Sequence, residues 1–166
     1  MDFIIALLIF TFTLAAYISY TNNFQKQGKG DLDDLLKDSK AISSSLVLSG
    51  YPSDWDSTNA IRIGIADDQR VNSTKIAFFK QLKYNETKKK FATAYDYFIF
   101  FTNDKGVVLN INGTCGIGNP AVDASYVGGA CMPINITNIN PKKLVNTERY
   151  LIYNSTVVKM IVYLWQ

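Results

Sequence analysis

The sequence predicts an α+β protein: a long N-terminal hydrophobic helix followed by a small antiparallel β-sheet head domain. Phe3 to Tyr20 runs for eighteen residues without a charge, a Gly or a Pro. Helical apolar spacing resumes after Asp31. The second half then alternates β-rich runs with turn residues, and its last two runs meet as a hairpin. A length of 166 residues suits one domain with an appendage, divided as 1–30 and 31–166.

The first run reads FIIALLIFTFTLAAYISY. As a helix it would extend about 27 Å, close to the hydrocarbon thickness of a bilayer. Phe3, Ile4, Ile5, Leu7, Leu8, Ile9, Phe10, Phe12, Leu14, Tyr17 and Ile18 occupy every face, so such a helix needs apolar surroundings all round. Asn22 to Gly30 is polar, and each of its two glycines weakens a helix by about 1 kcal/mol, which predicts a soft joint. Beyond it Leu32, Leu35, Leu36, Ser39, Ile42, Leu46 and Ser49 share a face, with Asp31 as N-cap and Gly50 as stop. That amphipathic helix is expected to cover one face of the sheet.

A strand is expected at Ile61–Ile65, and STKIAFFKQL and NETKKKFATA read as short helices entered from capping Asn or Ser residues. The run Tyr95–Thr102 (YDYFIFFT) reads as a strong buried strand. Asn103–Gly106 turns it into a further strand at Val107–Ile111. At the end ERYLIYN and VVKMIVYLW flank Ser155 and Thr156 as a two-residue hairpin turn.

Composition narrows the function. The chain has no histidine, which removes the commonest general base, the Ser-His and Cys-His pairs and the usual zinc sites. A net charge of +3, with no basic stripe interleaved with aromatics, gives no reason to expect nucleic acid. Cys115 and Cys131 are the only cysteines, in a Gly-rich stretch. Without His they cannot complete a zinc shell; a disulfide would hold the loop, the competing reading being two unrelated reduced thiols. Fourteen asparagines and 23 Ser and Thr residues would give about two N-x-S/T triplets by chance. Five occur, at Asn72, Asn85, Asn112, Asn135 and Asn154. The excess predicts an exported chain carrying covalent N-glycans and no other cofactor. Asn112, beside Gly113 just beyond a strand, is the sequon expected first to carry a glycan, with Asn154 in the tight hairpin turn following if its tip faces outward.

The charges around the first run set a puzzle. No basic residue precedes it and no A-x-A site closes it, so a cleavable secretory signal fits poorly. A plain signal anchor would contradict the positive-inside rule, since Asp2 precedes the run and Lys26 and Lys29 follow it. The contradiction disappears if a short basic leader is cut before Met1. A retained hydrophobic helix, an amphipathic extension and a β-rich head resemble a type IV pilin. The order LSGYPSDW, IRIGIADDQRV, LKYNETKKKF, YDYFIFF and ERYLIYNSTVVKMIVYLW is similar to archaeal pilin-like proteins across nearly the whole chain. The fifth position, usually Glu in mature bacterial pilins, is Ile5, which leaves Asp2 as the nearby carboxylate.

The resemblance implies a type IV pilin-like fold and a non-enzymatic structural subunit of an extracellular filament used for adhesion or surface attachment. Its partners would be further copies in a helical homopolymer, the prepilin peptidase and the pilus assembly machinery, with the membrane holding the chain before assembly. The alternative is a single-pass membrane-anchored surface protein with a glycosylated binding ectodomain. No catalytic or metal residues are assigned. The acidic groups Asp31, Asp33, Asp34 and Asp67, Asp68 lack the ligand spacing of a calcium loop. Lys88, Lys89 and Lys90 read as a solvated face, and Trp55 and Trp165 as packing residues. No P-loop, GxGxxG or G-x-S-x-G motif is present.

Overall fold

The computed structural model describes residues 2–166, with side chains described for 4–19 and 32–166. Two compact units divide the chain, Met1–Asp34 and Leu35–Gln166. Helix α1 (Asp2–Leu46) is continuous through the polar stretch expected to act as a joint. Helix propensity lowered by two glycines weakens a helix without ending it. The predicted N-cap Asp31 therefore lies within a helix, and its side chain, like that of Phe3, falls outside the described residues.

The expected fold class needs correcting on two counts. Among the described residues no helix is long and apolar enough to cross a membrane. Nor is the sheet small and antiparallel: it is mixed and six-stranded, in the order β1-β2-β7-β8-β3-β4. Its strands are β1 (Ala66–Asp67), β2 (Arg70–Val71), β3 (Asp96–Thr102), β4 (Ile117–Gly118), β7 (Leu144–Tyr153) and β8 (Thr156–Trp165). The parallel contact is β2 on β7, where Arg70 pairs with Ile152. A separate two-stranded ribbon joins β5 (Tyr126–Val127) to β6 (Ala130–Cys131).

Strand β3 explains the layering. DYFIFFT is buried from Tyr97 to Thr102 because both faces of the sheet are covered there. Tyr97, Ile99 and Phe101 join Leu35, Ile42 and Leu46 of α1 in one core cluster, with Met160, Val162 and Leu164 from β8 opposite. Phe98 and Phe100 face the other way, into a second cluster with Val122, Ile161 and Trp165. Segment 122–139 packs over that second face through Val122, Ala124, Ile134, Ile136 and Ile139. The first cluster is completed by α2 (Ser73–Gln81), which contributes Ile76 and Phe79, and bordered by α3 (Tyr84–Lys90).

The buried face of α1 is Leu35, Ser39, Ile42, Ser43 and Leu46. Leu32 and Leu36, expected on it, are 46% and 38% exposed. Ser39 is buried because its hydroxyl meets Thr147 Oγ1 of β7 at 2.7 Å.

Ile61–Ile65 and Val107–Ile111 form no strands; each carries only isolated bridges, Tyr51 with Arg62, Thr102 with Val108, and Ile111 with Thr114. Ile63 and Ile65 are buried all the same, because Gly64 lets the chain cross residues 48–50 at contact distance. A Cβ at Gly64 would stand 2.2 Å from the Leu48 carbonyl oxygen. Trp55 fixes this crossing, its indole N–H donating to the carbonyls of Gly64 (2.8 Å) and Ser49 (3.1 Å).

Candidate functional site

Two groups of residues stand out from the packed head: the apolar N-terminal stretch of α1 and the exposed turns that carry the sequons. In the first, Ile4, Ile5, Leu7, Leu8, Ile9, Phe10, Phe12, Leu14, Tyr17 and Ile18 are all between 47% and 77% exposed. Helical spacing distributes them round the whole circumference. Its polar residues do not interrupt the surface. Thr11 Oγ1 donates to the Leu7 and Leu8 carbonyls at 3.0 Å, and Thr13 Oγ1 does the same to Ile9 (3.0 Å) and Phe10 (2.9 Å). Each hydroxyl is satisfied by its own helix, so an apolar neighbour could cover the threonines without stranding a donor. This is a surface that water covers at a cost proportional to its area.

The sequons occupy different local structures. Asn72 caps α2: its Oδ1 accepts from the N–H groups of Thr74 (3.0 Å) and Lys75 (3.2 Å). Asn85 is exposed in α3. Asn112 is exposed in a turn with φ 50°, and Asn154 with φ 48° shares the β7–β8 turn with Ser155 at φ 62°. Tyr153 pairs with Thr156, so the hairpin turn is Asn154-Ser155, one residue earlier than the sequence suggested. Two consecutive left-handed residues are what a type I′ turn requires, and Asn tolerates that conformation better than Thr does. Asn135 is exposed in the segment over the second face.

Cys115 and Cys131 are bonded to each other, 16 positions apart. The bond ties the β5–β6 ribbon to the stretch leading into β4.

The polar interior contains groups that no sequence signal pointed to. Lys75 is 5% exposed, its Nζ donating to the Ser49 carbonyl (2.9 Å) and to Asp67 Oδ1 (2.6 Å). Partial burial would raise the Asp67 pKa, but hydrogen bonds from Asn72 and Lys75 and the lysine's charge prevail and hold it below its ordinary value. Asp96 is held down in the same way against its own desolvation, by Tyr84, Lys88 and Asn119. Burial pushes the Tyr84 and Tyr97 phenols above the normal tyrosine range, so both are neutral donors. Tyr84, Thr87 and Tyr97 line a recess of about 160 Å3 with Lys80 and Gly116. Tyr84 Oη donates to Asp96 Oδ1 at 2.7 Å, and Lys88 Nζ reaches the same oxygen at 2.9 Å. The tyrosine and the lysine share this one oxygen, so the carboxylate braces α3 against β3. Among the described residues no group of three His, Cys, Asp or Glu could hold a metal ion, and the Asp31 side chain lies outside them. Trp55 and Trp165 are 1% and 2% exposed and belong to the two core clusters.

No protein-family model, curated protein or solved structure matches the chain.

Proposed function

We propose that the chain is a structural subunit of an extracellular filament, used as archaeal pilins are for adhesion or surface attachment, and that it assembles by packing α1 against the helices of neighbouring copies. The observation that carries this reading is the apolar sleeve of residues 4–18, exposed on all sides and free of unsatisfied threonine hydroxyls. Apolar surface of this extent gains about 25 cal/mol for each Å2 withdrawn from water, and identical helices supply the matching apolar surface. A single-sided partner would leave part of the sleeve wet; a bundle of copies covers the whole circumference. The bonded pair Cys115–Cys131 supports an oxidising compartment, and five sequons agree with export. The role is mechanical, and the acidic and tyrosine groups of the head serve its folding. Assembly machinery and a leader peptidase are the partners this role requires.

Negative-stain microscopy of material sheared from cells making the chain tests the reading. Filaments that contain the chain are expected; a chain that stays with detergent-solubilised membranes and never enters filaments overturns it.

A further inference from the structure

The five sequons differ less in their asparagines than in the hydroxyls that complete them. N-x-S/T is a two-point signal: the Asn amide takes the sugar, and the hydroxyl two residues on makes the triplet recognisable. An enzyme acting on the folded head must reach both points.

At Asn85 the asparagine is exposed but Thr87 is 1% exposed. Thr87 Oγ1 donates to the Tyr84 carbonyl at 2.7 Å, which leaves the Tyr97 hydroxyl to donate to it. At Asn112 the asparagine is again exposed, while Thr114 is 5% exposed and faces an apolar recess lined by Ile76, Phe79 and Ile111. Asn72 has the opposite defect. Thr74 is exposed, yet both ends of the Asn72 amide are in use, Oδ1 as the α2 cap and Nδ2 donating to Asp67 Oδ2 at 2.9 Å.

Asn135 and Asn154 are exposed together with the hydroxyls that complete them, although Thr156 Oγ1 donates to the Tyr153 carbonyl at 2.8 Å. Asn135 and Thr137 are both exposed, and Thr137 Oγ1 lies 2.6 Å from Asn135 Oδ1, so the two halves of the signal are already together. Asn154 and Thr156 are both exposed at the β7–β8 hairpin turn.

We propose that Asn135 and Asn154 are the N-glycosylation sites that remain available once the head has folded, whereas Asn72, Asn85 and Asn112 accept a sugar only before it folds. The inference deepens the export reading above and rests on it. The donor class is an oligosaccharide joined to a lipid pyrophosphate. Asparagine Nδ2 attacks the anomeric carbon, forming the N–C bond as the C–O bond to pyrophosphate breaks. The Nδ2 proton passes to a base, the lipid pyrophosphate departs, and nothing is oxidised or reduced.

Cell-free synthesis of the full chain separates the two classes. An oligosaccharyltransferase that reads N-x-S/T, with its lipid-pyrophosphate donor, is added either during translation or after folding and disulfide formation are complete. Peptide mapping by mass spectrometry then gives the occupancy of each site. Addition after folding is expected to modify Asn135 and Asn154, with Asn72, Asn85 and Asn112 at least about tenfold lower because each needs a local opening first. Addition during translation is expected to raise those three. Exposed Thr137→Ala should abolish occupancy at Asn135 alone. The proposal is overturned if the folded chain is modified at Asn85 or Asn112 as readily as at Asn135. It is equally overturned if Asn135 and Asn154 stay bare in the folded chain while the chain treated during translation is modified. Filament formation is not read here, so this result stands apart from the assembly test.

Discussion

Removing the disulfide with Cys115→Ala and Cys131→Ala together should destabilise the head by about 3 kcal/mol. The figure follows from the loop closed: with the cysteines 16 positions apart, the entropy that the link removes from the unfolded chain corresponds to about 3 kcal/mol at room temperature. Both cysteines are buried, at 5% and 8% exposure, so trimming them to alanine subtracts a little packing as well. The structure also says where the loss is felt. Segment 122–139 covers the face built from Phe98, Phe100, Ile161 and Trp165, and that segment has only the short β5–β6 ribbon and a single 3-10 turn of its own. Trp165 sits on this face and Trp55 on the other, so the two tryptophans report the two layers separately. In a Trp55→Phe background, urea unfolding followed by Trp165 emission should show a midpoint lowered by about 1.5 M for an m-value of about 2 kcal/mol/M. A double alanine variant within about 0.5 kcal/mol of its parent would refute the claim that the bond holds this face in place.

Further outcomes test the packing. Ile42→Ala should cost about 2–5 kcal/mol in urea unfolding and Leu36→Ala no more than about 0.5 kcal/mol, since the first is 1% and the second 38% exposed; equal losses would contradict the register of α1. Ser155→Gly, which relieves a left-handed serine and keeps the Asn154 sequon, should raise stability by about 0.5–1 kcal/mol in thermal unfolding, and a loss would contradict the type I′ turn. Asp67 is held below its ordinary 3.8 in the folded state, so its ionised form adds stability above that value, and the contribution fades as pH falls through the folded pKa. Urea midpoints measured from neutral pH into the acid range should therefore fall less steeply in Asp67→Asn than in the parent, and identical slopes would reject the Lys75–Asp67 pair as a source of acid sensitivity.

What could be read from the sequence was whatever depends on local pattern. The uninterrupted YDYFIFFT reads as a buried strand, and β3 is that strand; its cover on both faces became visible only in the structure. The last two runs could only pair with each other, and β7 and β8 do so over ten residues each. The disulfide was legible because two cysteines leave one pairing. What failed depends on neighbours distant in sequence. Ile61–Ile65 has the alternation of a strand, but its backbone bonds go to Tyr51 and Leu46, so Ile63 and Ile65 are buried without joining the sheet. Leu32 and Leu36 were placed on the buried face with Leu35, Ser39, Ile42 and Leu46, whereas Ser43, which was not, is buried and donates to the Lys40 carbonyl. The membrane-length helix was read from the absence of charge over eighteen residues, whereas among the described residues no helix is long and apolar enough to cross a membrane. Lys75 gave no warning of burial, since its partners lie eight positions away at Asp67 and 26 away at Ser49. The sequons were visible as triplets, but which hydroxyls the head encloses was set by Tyr97 and the α2 core.

Self-assembly through the apolar sleeve of α1 is the central claim, and Ile9→Lys tests it most directly. Ile9 is 60% exposed midway along the described stretch, so no packing is lost when it is replaced. In a bundle of copies the ammonium would be buried without a partner in every subunit, at a cost of several kcal/mol each. Filament yield after shearing, read together with the circular dichroism and urea midpoint of the same full-length variant, separates assembly from folding. The account predicts loss of filaments with the midpoint of the head unchanged. Filaments from Ile9→Lys at parental yield would contradict it.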